Sequence, residues 1–261
     1  MTASIELETH SWSNADDLGY LGQQAVAEAA QTTDYRIVGG HMVRLLLLAH
    51  PAELAVQRTT VDADAAVSDV EVVGPIVDRL KDQDFVQERG NVYTKAVDEE
   101  RQVEINLLLP RTGSTTGIKP QMVDGVGQVD TLPELAFVLL QPAIHVAVTA
   151  HLTTGETLAY RVPIPGLEGA FILKAHAWAA RGLQHDRDLA DLHTLLEIRE
   201  AHPDLPWRLG ETHLRGVRLD TARAVSQLPR RLQQRTSLMP VPKHLDRSRM
   251  AALLVKHVAT P

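Results

Sequence analysis

The pattern of apolar and polar positions predicts helices and strands that alternate in the first third of the chain. Residues 14–31 repeat apolar positions with the period of a helix, and Asn14 is the predicted cap. The segment YRIVGG (35–40) predicts a short strand that ends in a turn. The following HMVRLLLLAH predicts a buried helix that ends before Pro51. A strand between two helices is typical of an α/β unit.

The pattern continues with strands. The alternating, β-branched segment TTVDADAAV (59–67) predicts a strand, and GPIVDRLKDQDF (74–85) predicts a surface helix with Pro75 at its first position. FVQERGNVYTKAV (85–97) predicts a hairpin that turns at Gly90-Asn91. RQVEINLLL (101–109) predicts one more strand. These elements together predict an α/β unit of roughly 110 residues.

The second half of the chain predicts a different organisation. Residues 111–131 are rich in Gly, Ser and Thr, which predicts a loop or lid, and a second hairpin is expected around Thr153-Thr154-Gly155. From Gly166 onward the apolar period is helical. We therefore predict an α/β (α+β) fold with a core domain over 1–131, followed by a hairpin and a mainly helical region over 132–261.

Composition excludes several classes of protein. The 261 residues include no cysteine, which excludes disulfides, thiolate catalysis and Cys-ligated zinc. The N-terminus has no basic segment before an apolar stretch, unlike a signal peptide. The least polar window, 135–150, is interrupted by Gln141, Pro142 and His145 and is too short to cross a bilayer. We expect a soluble, cytoplasmic protein without a membrane partner.

Charge is distributed unevenly along the chain. The net charge is −7, but the segment from Trp207 to the end has eleven basic and three acidic residues, or +8, which leaves −15 for the rest. Such a segment is typical of a surface that binds a polyanion, although it could equally dock on the acidic part of the same protein. The arginines that would contact a polyanion are Arg208, Arg215, Arg218, Arg223, Arg230, Arg231 and Arg235.

Three acidic residues are candidates for a metal site. Asp62 and Asp64 are separated by one residue, so on a strand their carboxylates would point to the same face and repel each other unless a cation lies between them. Glu104 lies between apolar residues of a later predicted strand. Oxygen ligands of this kind bind Mg²⁺ or Mn²⁺, usually together with the phosphates of a substrate. Gly39-Gly40 before a helix would let backbone amides approach such an anion closely.

The order of these motifs resembles the DNA polymerase β-type nucleotidyltransferase superfamily. That pattern is Gly-Gly, then Asp-x-Asp about twenty residues later, then an acid between apolar residues. Residues 36–67 also resemble the AbiEii/MenT-type toxins, whose R-x-T-x-D-x-D motif is matched by Arg58, Thr60, Asp62 and Asp64. Residues 102–107 and 166–196 are similar to later segments of that family. The resemblance implies a polymerase β-like core with a mixed sheet, followed by a mainly helical C-terminal region.

The resemblance also implies an activity. A two-metal site would transfer an NMP from an NTP to an acceptor hydroxyl, most simply the 3′ end of RNA or tRNA, and the protein would be the toxin of a toxin–antitoxin pair. The implied metal ligands and catalytic residues are Asp62, Asp64 and Glu104, and the implied nucleotide-binding residues are Gly39, Gly40, Arg58, Thr60 and Lys174. Two positions depart from the family, because Gly40 replaces a common Ser and Glu104 a more usual Asp. A small molecule or a protein hydroxyl as acceptor, or a catalytically silent binding module, remain alternatives.

Lys174 is also a candidate on physical grounds. It shares one helical stripe with Phe171, Trp178 and Arg181, and a cation on an apolar stripe is costly to bury without an anionic partner. A triphosphate would supply that partner. The alternative is that Lys174 extends to solvent; for Arg181 we expect a structural pairing with Asp188 or Asp191.

Overall fold

The computed structural model describes residues 4–31, 33–113, 117–181, 186–234 and 239–261. Two compact units are present. The first consists of Met1–Leu45 and Arg58–Pro165, and the second consists of Leu46–Gln57 and Gly166–Pro261. Arg235, one of the arginines predicted to contact a polyanion, lies outside the described residues, as do Ser114, Thr115 and Thr116 of the predicted loop.

The first unit contains two sheets. Their strands are β1 (Ile5–His10), β2 (Tyr35–Ile37), β3 (Ala63–Val67), β4 (Val86–Arg89), β5 (Val92–Ala96), β6 (Gln102–Pro110), β7 (Lys119–Val123), β8 (Gly127–Leu132), β9 (Ile144–His151) and β10 (Thr157–Ile164). The larger sheet has the order β2-β3-β6-β5-β4, with β8 paired to β6 and β7 paired to β8. It is mixed, because β6 is parallel to β3 and β8 but antiparallel to β5. The smaller sheet has the order β1-β9-β10.

Helices lie between several of these strands and form most of the regular structure after Gly166. They are α1 (Asn14–Ala29), α2 (Gly39–Ala49), α3 (Val70–Asp82), α4 (Pro133–Leu140), α5 (Leu167–Arg181), α6 (Asp186–Ala201), α7 (Val217–Val225), α8 (Leu228–Gln233) and α9 (Arg247–His257). In the described residues no helix is both long enough and apolar enough to cross a bilayer.

Two predicted helix starts were wrong. Helix α1 is capped by Ser13 rather than Asn14, because the Ser13 hydroxyl accepts a hydrogen bond from the amide of Asp16 at 3.3 Å. Helix α3 begins before Pro75, because Asp69 caps it by accepting from the amide of Glu71 at 3.2 Å. Pro75 therefore lies inside the helix, where its missing N–H removes one backbone hydrogen bond.

Three strand predictions also need correction. The strand predicted over 59–67 begins only at Ala63, so Asp62 lies just before β3. The loop predicted over 111–131 contains β7 and β8, because β8 extends the sheet by pairing with the second half of β6. Strand β1 was not predicted at all. The hairpins at Gly90-Asn91 and around Thr153-Thr154-Gly155 are confirmed.

Packing of α1 decides which face of the larger sheet is covered. A Cβ on Gly22 of α1 would lie 2.8 Å from the Cβ of Ala63 and 3.3 Å from a methyl carbon of Val103. The small residue lets the helix approach β3 and β6 on the face that carries these apolar side chains. Because neighbouring strand residues point to opposite faces, Asp64 and Glu104 point to the other side.

The second unit is built from helices. Helix α5 contacts α6 and α7, and α9 contacts α6 and α8. Phe171 packs edge-on against Trp207 with ring centroids 5.3 Å apart, and the Trp207 indole donates to the carbonyl of His257 at 2.8 Å. The hydroxyl of Thr194 donates to the carbonyl of Val56 at 3.0 Å, which attaches the segment 46–57 to α6. The predicted α/β class, with a mixed sheet followed by a mainly helical C-terminal region, is confirmed.

Candidate functional site

The register of the larger sheet brings polar side chains together on adjacent strands. Asp64 of β3 pairs directly with Asn106 of β6, and the two strands run parallel. Glu104 precedes Asn106 by two residues, so it points to the same face. All three side chains are half-buried, whereas Ala63, Ala65 and Ile105 between them are fully buried. The strands therefore place two predicted acids on one half-exposed patch, which we call the acidic cluster, with Asp62 as its third acid.

Asn106 links two of these acids and was missed by the sequence analysis. Its side-chain Nδ2 donates to Asp64 Oδ1 at 3.1 Å and to Glu104 Oε1 at 3.4 Å. A neutral amide can orient two carboxylates without cancelling their charge. The available signal was its position two residues after Glu104 in QVEINLL, but a neutral polar residue there is also compatible with an ordinary half-exposed strand.

Asp62 is held by the chain just before β3. The hydroxyl of Thr60 donates to Asp62 Oδ1 at 3.2 Å, and Thr60 itself is buried. Asp62 and Asp64 are both half-buried and are separated by the buried Ala63. Although the strand begins at Ala63, four residues later than predicted, the alternation of buried and half-buried positions extends to Asp62.

Gly39 brings the start of α2 against Asp64. Its φ is +67°, a left-handed conformation that glycine adopts without strain, and an added Cβ would lie 2.0 Å from Asp64 Oδ2. The amide of Val38 donates to the backbone carbonyl of Asp64 at 2.9 Å. Both the conformation and the close approach require glycine at this position.

Gly40 is in equally close contact with the residues before Asp62. A Cβ on Gly40 would lie 2.8 Å from Arg58 Nη2, 2.8 Å from Thr60 Oγ1 and 2.9 Å from Thr60 Cβ. The glycine that departs from the family pattern therefore leaves room for these two side chains. The structure places Gly39, Gly40, Arg58 and Thr60 next to the acidic cluster, at the first turn of α2, where backbone amides have no partner within the helix.

His41, the next residue of α2, is a buried group that the sequence analysis did not select. Gln23 of α1 donates to His41 Nδ1 at 2.9 Å. Burial lowers the pKa of His41 to about 3, with a smaller contribution from the nearby Arg44 guanidinium, so the imidazole is neutral near pH 7. Arg44, one turn further along α2, forms a buried ion pair with Asp16 of α1. These contacts fix the helix whose first turn carries Gly39 and Gly40.

Lys174 belongs to an ion-pair cluster within the second unit. Its Nζ lies 2.7 Å from Asp191 Oδ2 and 3.6 Å from Asp188 Oδ1, and all three side chains are buried. Arg181 contacts Asp188 at 3.1 Å, which confirms the expected pairing, but its side chain is half-exposed rather than part of a buried stripe. We call Lys174, Arg181, Asp188 and Asp191 the ionic cluster. The anionic partner that Lys174 requires is thus supplied by α6.

The acidic cluster carries the kind of oxygen ligands that a hard divalent cation prefers. Its three acids are not among the described residues whose ligand atoms all lie within 4.8 Å of one another, so they would have to move closer to share one cation. Three carboxylates provide oxygen ligands, and the hydrogen bonds that Asp62 and Glu104 accept come from neutral groups, the hydroxyl of Thr60 and the amide of Asn106. Gly39, the first residue of α2, lies against the Asp64 carboxylate. Carboxylates beside helix-start amides can serve a cation together with the phosphates that the cation carries.

No family model matches the chain, and no curated protein matches it. Among solved structures, the chain is similar to an antigenic nucleotidyltransferase-like protein from Paracoccidioides brasiliensis, with 13% sequence identity and a TM-score of 0.45. The match covers 82% of this chain and 90% of that one.

Proposed function

We propose that the protein is a nucleotidyltransferase that depends on a divalent cation and moves an NMP from an NTP to an acceptor hydroxyl. The observation that supports the proposal best is the contact between Gly39 and Asp64 beside the amide of Asn106. It combines two carboxylates on adjacent strands with the amide-rich first turn of a helix. Together with the order of motifs in the sequence, this arrangement favours phosphoryl chemistry over a purely structural role.

Each residue of the acidic cluster has a role in this proposal. Asp62, Asp64 and Glu104 would hold Mg²⁺ or Mn²⁺. When bound, the cation would make the acceptor hydroxyl easier to deprotonate and offset the charge of the triphosphate. Asn106 orients Asp64 and Glu104, and the Thr60 hydroxyl orients Asp62.

The phosphates would be held by the first turn of α2 and by a side chain next to it. The amides of Gly39 and Gly40 are the donors that we assign to the phosphates. Arg58, whose Nη2 lies beside Gly40, is the cation that we assign to the pyrophosphate that leaves. Lys174 as a triphosphate ligand stays a prediction from the sequence, because a phosphate would have to share its ammonium group with Asp191.

A transfer assay tests this activity. The full chain is incubated with each α-labelled NTP in turn, Mg²⁺ and total RNA, and the products are separated by size. We expect label on RNA with wild type and none with Asp64→Asn. Asp82→Asn is the control, because Asp82 is an exposed aspartate at the end of α3, outside the acidic cluster. Absence of label on any product, with every NTP and with either Mg²⁺ or Mn²⁺, would overturn the proposal.

For the acceptor we propose the 3′ end of RNA, with tRNA as the first candidate, and the role of a toxin neutralised by a cognate antitoxin protein. The RNA acceptor is supported by α8, where Arg230 and Arg231 are exposed and form no ion pair with any described residue. The toxin role rests only on the resemblance of residues 36–67 to the AbiEii/MenT-type toxins. Other basic side chains of the C-terminal segment are paired with acids, among them Arg218 with Glu168 and Arg249 with Glu197. Part of the C-terminal segment therefore pairs with acids of the same protein, as the alternative interpretation of its charge predicts.

Salt dependence distinguishes RNA from other acceptors. Arg230→Ala with Arg231→Ala removes two candidate phosphate contacts, so the slope of log affinity against log salt should decrease by about 1.4 for single-stranded RNA. Arg208→Ala with Arg223→Ala is the control, because both of these exposed arginines are already paired with carboxylates. Label on a protein or a small molecule instead of RNA would keep the transferase and reject the RNA acceptor.

A further inference from the structure

A second cluster of metal-ligating side chains lies on the smaller sheet and is separate from the acidic cluster. It consists of Glu8 and His10 of β1 and His151 of β9. Glu8 and His10 are exposed, and His151 is half-buried. The proposed transfer of a nucleotide uses none of these residues.

The register of the sheet explains why the three side chains meet. His10 pairs with His151 across the parallel strands β1 and β9, and His151 pairs with Thr157 of β10. Glu8 lies two residues before His10, on the same face, and is the diagonal neighbour of His151. The next row across the sheet is Glu8, Thr149 and Ala159, so neither row contains a Lys or Arg.

Two hydrogen bonds orient the central histidine. His151 Nε2 lies 3.0 Å from Glu8 Oε1, and His151 Nδ1 lies 3.0 Å from the hydroxyl of Thr157. A metal-bound histidine commonly has a hydrogen-bond partner on its second ring nitrogen, which fixes the orientation of the ring. Thr157 supplies such a partner and leaves Nε2 directed at the carboxylate.

The spacing of the ligand atoms suits one small cation. One ligand atom from each of the three side chains lies within 4.8 Å of the other two. The rings of His10 and His151 are stacked with centroids 4.6 Å apart and planes 21° from parallel. Two ligands in a tetrahedral zinc site are roughly 3.3–3.6 Å apart, given bonds of about 2.0–2.2 Å. Small rotations of the exposed Glu8 and His10 side chains towards the half-buried His151 would reach that spacing.

We propose that Glu8, His10 and His151 bind Zn²⁺ or another late first-row divalent cation. Two imidazoles and one carboxylate are ligands that such cations prefer, whereas Mg²⁺ prefers oxygen ligands only. The bound cation cross-links β1 to β9. A fourth ligand comes from solvent, as in zinc sites that have three protein ligands.

Calorimetric titration of the full chain with ZnCl₂ tests this site. An excess of Mg²⁺ is present so that the carboxylates of the acidic cluster do not contribute. We expect one Zn²⁺ per chain, with affinity at least tenfold lower in His10→Ala and in His151→Ala. His145→Ala is the matched control, because His145 is an exposed histidine on the same strand, six residues before His151. Its affinity for Zn²⁺ should equal that of wild type.

Thr157→Val tests whether the three ligands form an oriented metal site or lie together by chance. It keeps all three ligands and removes only the hydroxyl that orients His151, and losses of roughly 10-fold to 100-fold are typical when such a partner is removed. Equal zinc affinity in wild type and His151→Ala, or an equal loss in His145→Ala, would overturn the proposal. Asp64→Asn should retain the zinc site, so this result is independent of the transfer assay.

Discussion

The acidic cluster and the ionic cluster differ in the groups that their charged side chains contact. In the first unit, Asp62 and Glu104 accept hydrogen bonds from neutral groups. In the second, Lys174 is buried between Asp188 and Asp191, so opposite charges offset one another. A group of like charges gains stability from a ligand, whereas a compensated cluster gains it from the fold. Under the proposed function the acidic cluster binds a cation, whereas the ionic cluster joins α5 to α6 through Lys174, Asp188 and Asp191.

The largest expected effect is the loss of nucleotide transfer when an acid of the acidic cluster is replaced. We predict that Asp64→Asn lowers the rate of nucleotide transfer about 1000-fold or more, because a lost metal ligand removes several kcal/mol of transition-state stabilisation. The thermal midpoint should stay unchanged or rise, since one of three like charges is removed. Single-turnover transfer and differential scanning calorimetry measure the two quantities. A large loss of thermal stability would mean that Asp64 is primarily structural.

In the ionic cluster the expected effect is on stability. Lys174→Met removes the ammonium group that lies 2.7 Å from the buried Asp191 Oδ2, and removing one partner of a buried pair typically costs about 3–5 kcal/mol. We therefore expect a decrease of about 3 kcal/mol in the free energy of unfolding, measured by urea titration.

Lys256→Met is the matched control for that measurement. Lys256 forms an ion pair with Glu200 at 2.7 Å, but its side chain is 60% exposed. Exposed pairs typically contribute less than about 1 kcal/mol. If both variants lose the same small amount, the pairing of Lys174 does not stabilise the fold, and a ligand role for Lys174 gains support.

A smaller loss of stability is expected from a substitution of Gly39, the residue that sets the distance between α2 and Asp64. Gly39→Ala places a Cβ where Asp64 Oδ2 lies and forces a left-handed residue, so we expect a loss of about 1–3 kcal/mol in unfolding free energy together with reduced transfer. Gly166→Ala is the control, because an added Cβ there meets nothing within 4 Å and its φ is not left-handed. That variant should stay within about 0.5 kcal/mol of wild type.

The smallest expected effect concerns the pH dependence of stability and comes from His41. Its pKa is about 3 in the folded protein and about 6.5 when unfolded, so the unfolded state binds a proton that the folded state does not. The contribution of His41 is fully present above pH 6.5 and is lost as pH falls from 6.5 towards 3. Below pH 6 we expect a loss of about 1 kcal/mol per pH unit from this group.

The matching measurement is urea titration between pH 7.5 and pH 5. His41→Gln should show a shallower decrease than wild type, because the titrating ring is gone. His145→Ala, which removes an exposed histidine of β9, is the control, and its curve should parallel that of wild type. Parallel curves for wild type and His41→Gln would show that His41 is accessible to protons in the folded protein.

Local patterns in the sequence were sufficient to predict the elements that are stabilised by contacts between neighbouring residues. The hairpin at Gly90-Asn91 was predicted because its turn chemistry lies in two adjacent residues. The need of Lys174 for an anion was also predictable, since it lies on an apolar stripe. Which anion it finds depends on the packing of α6 against α5, which no local pattern encodes.

Elements that depend on distant partners could not be predicted in this way. Strands β7 and β8 contain loop-forming residues, and β8 is a strand because it pairs with β6. Asn106 acquires its role only when β3 is placed next to β6. The cap at Ser13 and the helical position of Pro75 show that boundaries depend on single hydrogen bonds, whereas the order of elements follows from the apolar pattern.

The pairing of β1 with β9 has a consequence for the order in which the chain folds. Glu8 and His151, which meet across this pair, are 143 residues apart in the sequence. Closing so long a loop is entropically costly, whereas β9 and β10 form a hairpin from neighbouring residues. Strand β1 is therefore expected to dock late, because the hairpin that receives it is synthesised more than a hundred residues afterwards.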